Sequence, residues 1–218
     1  MVSRQGQRTR GDGRHWLPSQ GVDPVPLADL NAECLGLLAM RAADGNPADP
    51  APPLLVTLRE TWAKLPAQAV RKLSAAPFSL FDAGFASAPR WLELRTRGVH
   101  DQSQPSEPAY FEPAAARSIT RRMLVYGWHL ARSRPRAACL VFGATSSAIQ
   151  SLAACSLTAL EAAADRNADA LRPRWANQIG FWRELLTASA SGADTRLHEL
   201  LLGGIQRLAA ETLAVHAP

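Results

Sequence analysis

Six arginines crowd the stretch from 117 to 136: Arg117, Arg121, Arg122, Arg132, Arg134 and Arg136, with no aspartate or glutamate among them. A guanidinium stays charged at any physiological pH and presents a planar fork of donors that matches phosphate oxygens. Arg117 and Arg121 are spaced one helical turn apart, as are Arg132 and Arg136. Such spacing suits contact with successive phosphates, so these six residues are the candidate DNA contacts. The plainer alternative is a solvated helix face whose counter-charges come from elsewhere in the fold. Arg166, Arg172 and Arg174 extend the patch if later helices fold back beside it.

Other chemistry is sparse. There is no P-loop, no glycine-rich dinucleotide fingerprint, no HExxH and no GxSxG. His15, His100, His129, His198 and His216 are scattered, and none joins other histidines, cysteines or carboxylates in a metal-like cluster. Cys34, Cys139 and Cys155 are odd in number and lack a CxxC spacing, which argues against a disulfide framework and against zinc. Free thiols in a reducing cytoplasm are the expectation. Asp82 stands beside a run of aromatics, but an aspartate before Ala83-Gly84 reads first as turn chemistry. No catalytic residue, metal site or cofactor is therefore assigned.

A net charge of +5 and a pI of about 9.7 favour an acidic partner. Only Lys64 and Lys72 are lysines, against 22 arginines, which points to a GC-rich coding bias as much as to function. The longest run without a charge lies between Arg136 and Glu161. It includes Gly143, Thr145, Ser146, Ser147, Gln150, Ser151, Ser156 and Thr158, too polar a set for a membrane span.

The elements that must carry these residues are helical. Alanine and leucine dominate, β-branched residues are thin, and 47% of the chain is hydrophobic. The expected fold is an all-α compact helical bundle with helix-turn-helix-like corners. Residues 1–24 read as a disordered basic tail. A helical region over 25–98 contains a helix from Leu27 to Met40, a proline-rich break at Asn46–Pro53, and a Thr57–Glu60 capping box. The aromatic stretch Pro77–Phe85 reads as a buried connection or a short strand, and Trp91, Leu92 and Leu94 complete that half. Residues 99–114, with Pro105, Pro108 and Pro113, read as a linker.

A helical domain over 115–216 follows. Its first helix, Ala115 to Ser133, puts Met123, Leu124, Trp128, Leu130 and Ala131 on one broad face. Arg121, Arg122, His129, Arg132 and Ser133 lie opposite. Pro135 starts a short helix that stops at Gly143. Ser147 with Gln150 caps the next, and Ser156 caps another with Leu157, Leu160 and Ala164 inward. Pro173 precedes a helix with Trp175, Ile179, Trp182 and Leu186. The last helix carries Leu197, Leu201, Ile205 and Leu208 on one stripe, which together with Trp175 is the candidate partner interface.

Residues 124–206 resemble the D subunit, FlhD, of the bacterial flagellar master transcription regulator. The match runs through Leu130-Ala131-Arg132, Phe142-Gly143, the helix Ser147–Cys155, the segment Ser156–Ala164, and the leucine-rich Leu197–Ile205. The segment before 115 has no counterpart there. That family is small and helical, oligomerises, and activates transcription with a zinc-bearing C subunit. The resemblance thus implies a regulatory protein with a C-type partner subunit, DNA contact through the complex, and a possible homo-oligomer. The competing expectation is a helical adaptor or oligomerisation protein with no nucleic-acid role.

Overall fold

The computed structural model describes residues 24–45, 50–85 and 108–214. The expected basic tail up to residue 23, the linker over 99–107, and Trp91, Leu92 and Leu94 lie outside the described residues. The fold is all-α. Among the described residues, ten α-helices run in the order α1 Pro24–Asp44, α2 Pro53–Thr57, α3 Arg59–Ala63, α4 Ala67–Ser74, α5 Pro113–Ser133, α6 Pro135–Phe142, α7 Ser146–Ala153, α8 Leu157–Asn167, α9 Ile179–Ser191 and α10 Asp194–Ala214. Two short strands, β1 (Phe81–Asp82) and β2 (Arg172–Pro173), pair antiparallel with Phe81 opposite Pro173 and Asp82 opposite Arg172.

Helical periodicity places the core. On α1, Leu27, Leu30, Cys34, Leu35, Leu38 and Ala42 are buried at steps of three and four, a single stripe that meets α3, α4 and α5. On α5 the buried positions Ala116, Ile119, Thr120, Met123, Leu124, Gly127, Leu130 and Ala131 do the same. That stripe packs on α1, α6, α7 and α8, so α5 is the central helix. Helix α9 lies against α3, α4 and α10, and α10 reaches α6.

Buried side chains from 25–85 and from 115–208 belong to one contiguous core. Trp62 of α3 packs on Trp182 of α9 with ring centroids 5.6 Å apart, and Phe81 stands 6.1 Å from Trp182. Phe85 stacks on Phe142 at 4.3 Å. Tyr110 and Phe111, expected in a linker, are buried instead, with Phe111 edge-on to Phe81 at 5.9 Å. Two aromatics among the prolines have enough apolar area to hold that strand of chain against the core.

Several local signals operate as expected. Pro135 starts α6, and its ring forces the preceding Arg134 out of helical backbone (φ −147°, ψ 71°), which makes the α5–α6 corner. Gly143 ends α6 with φ +55°, and a Cβ there would lie 2.5 Å from Leu208 Cδ2, so the corner needs glycine for both backbone and space. The Ser156 hydroxyl accepts from the Ala159 amide at 3.2 Å and caps α8.

Other signals act elsewhere. Thr57 is the last residue of α2 rather than a cap of α3, which starts after Leu58 without a side-chain cap. The cap of α7 is Thr145, whose hydroxyl accepts from Ala148 N at 3.2 Å. Ser147 sits inside the first turn and bonds to that same hydroxyl at 3.0 Å. Leu157, expected inward, is 57% exposed. Trp175 lies in a turn with φ +50°, and its helix begins only at Ile179.

Candidate functional site

The arginine run sits on the outer face of α5 and over the α5–α6 corner. At about 100° per residue, Arg117, Arg121 and Arg132 fall within an arc of roughly 60° facing solvent, and Trp128, expected on the opposite face, lies half-buried in that same arc. Arg122 lies about 100° further round from Arg121. Arg117, Arg121, Arg122, Arg132 and Arg136 are exposed and Arg134 is half-buried. The six residues therefore form a ridge with Arg122 turned aside and Arg134 half-buried, not a single flat patch.

Counter-charge reaches the ridge from both flanks. Arg121 pairs with Glu161 of α8, and Arg122 pairs with Glu33 of α1. Arg132 has a different partner: its guanidinium carbon sits 4.6 Å from the Trp128 ring centroid. The indole is fixed by its Nε1–H, which donates to the Cys155 carbonyl at 3.0 Å. Among the described residues, neither Arg117 nor Arg136 meets a carboxylate. Cys34, the residue after Glu33 on α1, is buried. Burial pushes its thiol well above its ordinary range, Glu33 adds to that, and Arg122 opposes it.

A second cluster of charge lies inside the molecule. Arg174, which would extend the patch if later helices folded back beside it, is only 6% exposed. Its Nε donates to the Ser79 carbonyl at 2.7 Å, and another guanidinium nitrogen donates to the Phe142 carbonyl at the end of α6. Asp82 lies 3.8 Å away and offsets part of the charge. Burial pulls the Arg174 pKa down, while Asp82 and then Glu211 push it back up. The Arg174 amide donates to Leu80 O at 2.9 Å, and its carbonyl accepts from Trp182 Nε1 at 2.7 Å. This arginine leaves the patch because irregular backbone at 78–82 is buried and needs donors.

Asn31 completes that supply from the other side. Its amide donates to Phe78 O at 3.1 Å and Ser74 O at 3.4 Å, and its carbonyl oxygen accepts from Leu80 N at 3.0 Å. Asp82 accepts from the Phe85 amide at 3.0 Å, the turn chemistry its sequence context implies. The side chains of Asn31, Asp82 and Arg174 each bond to main chain between Ser74 and Phe85, which is the arrangement of a structural tie. Among the described residues, no three His, Cys, Asp or Glu side chains converge as a metal site would require.

The stripe expected as a partner interface faces inward. Leu197 and Leu208 are buried, and Leu201 and Ile205 pack against the core. The reason is the close approach of α10. A Cβ on Gly204 would lie 2.4 Å from Phe78, so the helix sits flush on the aromatic segment. Trp175 is likewise held within the molecule. Its indole donates to Glu211 at 2.7 Å, and its ring packs edge-on to Phe78 and Phe181 at 5.9 and 5.3 Å. No described helix is long and apolar enough to cross a membrane.

Glu33, Glu161, Asn31 and the burial of Arg174 escape the linear sequence. The nearest signal for Asn31 is a polar residue on the apolar stripe of α1, one step after Leu30 and three before Cys34. No protein family, curated protein or solved structure matches this chain.

Proposed function

We propose that this protein is a helical regulatory subunit that contacts DNA phosphates through the arginine ridge of α5 and acts together with a protein partner. One observation carries the reading: Arg117, Arg121, Arg122, Arg132 and Arg136 are exposed on one helix and its following corner, and among the described residues carboxylates pair with Arg121 and Arg122 but not with Arg117, Arg132 or Arg136. A surplus of fixed positive charge along a rigid helix is a surface for a polyanion. Net charge of +5 adds long-range attraction of the same sign. The regulatory role and the C-type partner subunit come from the resemblance of residues 124–206 to the flagellar D subunit. Packing of the α10 stripe against the protein's own core supports this reading over that of an adaptor using that stripe.

Arg117 and Arg136 give the cleanest test, since their removal breaks no described ion pair. Binding of a fluorescein-labelled duplex is followed by anisotropy between about 50 and 200 mM salt, with and without the candidate partner subunit. The wild type shows a steep fall of affinity with salt. R117A/R136A reduces the log–log slope by about 2 and weakens binding roughly tenfold at low salt. A slope unchanged by the double substitution refutes the ridge as the phosphate contact.

A further inference from the structure

We infer that Glu33 and Glu161 are built-in competitors for the ridge: they occupy Arg121 and Arg122 until nucleic acid displaces them, and so hold down the protein's affinity for DNA. The inference rests on the DNA reading of the ridge. Helix α5 has no acidic residue along its arginine run, so nothing on the helix itself tempers the charge. The two carboxylates come from separate helices on opposite flanks, α1 and α8, and each meets one of the two adjacent central arginines. Arg117 and Arg136, at the two ends of the run, meet none among the described residues.

Exposure makes the pairs reversible. Side chains of Arg121 and Glu161 are 60% and 54% exposed, and those of Arg122 and Glu33 are 48% and 38% exposed. Ion pairs so open to water are weak and screened by salt. A carboxylate offers each arginine one charge, whereas a duplex offers a row of phosphates and releases condensed counterions on binding. Arg117 and Arg136 therefore make the first contacts. Arg121 and Arg122 join only when the local phosphate density outcompetes Glu161 and Glu33. The pairs are dispensable for folding, because α5 is held through its opposite, buried stripe.

The test compares three proteins in the anisotropy assay: wild type, E33Q/E161Q, and the charge-matched control E60Q/E199Q. Glu60 and Glu199 pair with Lys64 and Arg196, away from the ridge arginines, so the control changes net charge equally. E33Q/E161Q is expected to bind about tenfold tighter at physiological salt, with a slope steeper by about 1 to 2. The control gains less than about twofold, and all three proteins melt together. Equal gains in both variants mean that net charge alone is responsible and overturn the inference. Wild-type binding that E33Q/E161Q leaves unchanged also overturns it, while leaving the ridge reading intact. No binding by any of the three, with or without partner, removes both. Binding by E33Q/E161Q alone supports both.

Discussion

Around Arg174 the guanidinium is removed from water and committed to carbonyls of two chain segments. On α5 the guanidinia of Arg117, Arg121 and Arg132 stay in solvent, with one weak partner or none. The residue type is the same, and the environment decides between tie and contact surface. Inside, the cost of desolvating the charge is offset only while every donor finds an oxygen, so the site is rigid and intolerant. Outside, water solvates whatever a partner does not, so the site is exchangeable. A basic count along the chain therefore overstates the binding surface wherever irregular backbone has to be buried.

Substitution at Arg174 separates the two regions most sharply. R174M leaves the Ser79 and Phe142 carbonyls without their donor and Asp82 without its counter-charge. A loss of about 3 kcal/mol or more in urea unfolding is expected. R174K recovers only part of it, because an ammonium lacks the fork that reaches two carbonyls at once. A loss below about 1 kcal/mol would erase the distinction from the ridge.

Cys34, buried one residue after Glu33, probes the interior next to the ridge. Its thiol keeps its proton in the folded state beyond the ordinary value of 9.0, whereas the unfolded chain ionises there. The unfolded state then binds fewer protons, so stability is intact below about pH 9 and falls above it, by up to about 1.4 kcal/mol per pH unit. C34A should remove that part of the alkaline slope, whatever constant cost its cavity adds. Identical slopes for wild type and C34A would place the thiol in contact with water.

The smallest effect belongs to Arg121. R121A is expected to change unfolding stability by no more than about 0.5 kcal/mol, since its pair with Glu161 is open to solvent. A larger loss would mean that the α5–α8 contact depends on charge as the interior does.

The all-α architecture was legible because its signals are local. Pro135, Gly143 and Ser156 each set a boundary through their own backbone or hydroxyl, whatever surrounds them. The α7 cap was ambiguous because Thr145, Ser146 and Ser147 offer equivalent hydroxyls. Burial of Ala144 and Ala148 settles which one faces the free amides. Trp175 was misread because helical spacing with Trp182 is satisfied equally by a turn, and Trp182 here bonds the Arg174 carbonyl. The roles of Asn31 and Arg174 depend on segments far away in sequence, as do the carboxylates of the ridge. Spacing along one helix carries no record of such partners.

The bond between Ser79 and Arg174 spans 95 residues. A ribosome adding about 5–20 residues per second releases Arg174 roughly 5–20 s after Ser79. During that interval Asn31 is already synthesised, but the segment Phe78–Phe85 lacks its β2 strand and its arginine. Local helices form within microseconds, so long-range closures such as this one are the steps that wait on synthesis. The separation of two residues thereby sets how long the aromatic segment stands without its guanidinium during synthesis.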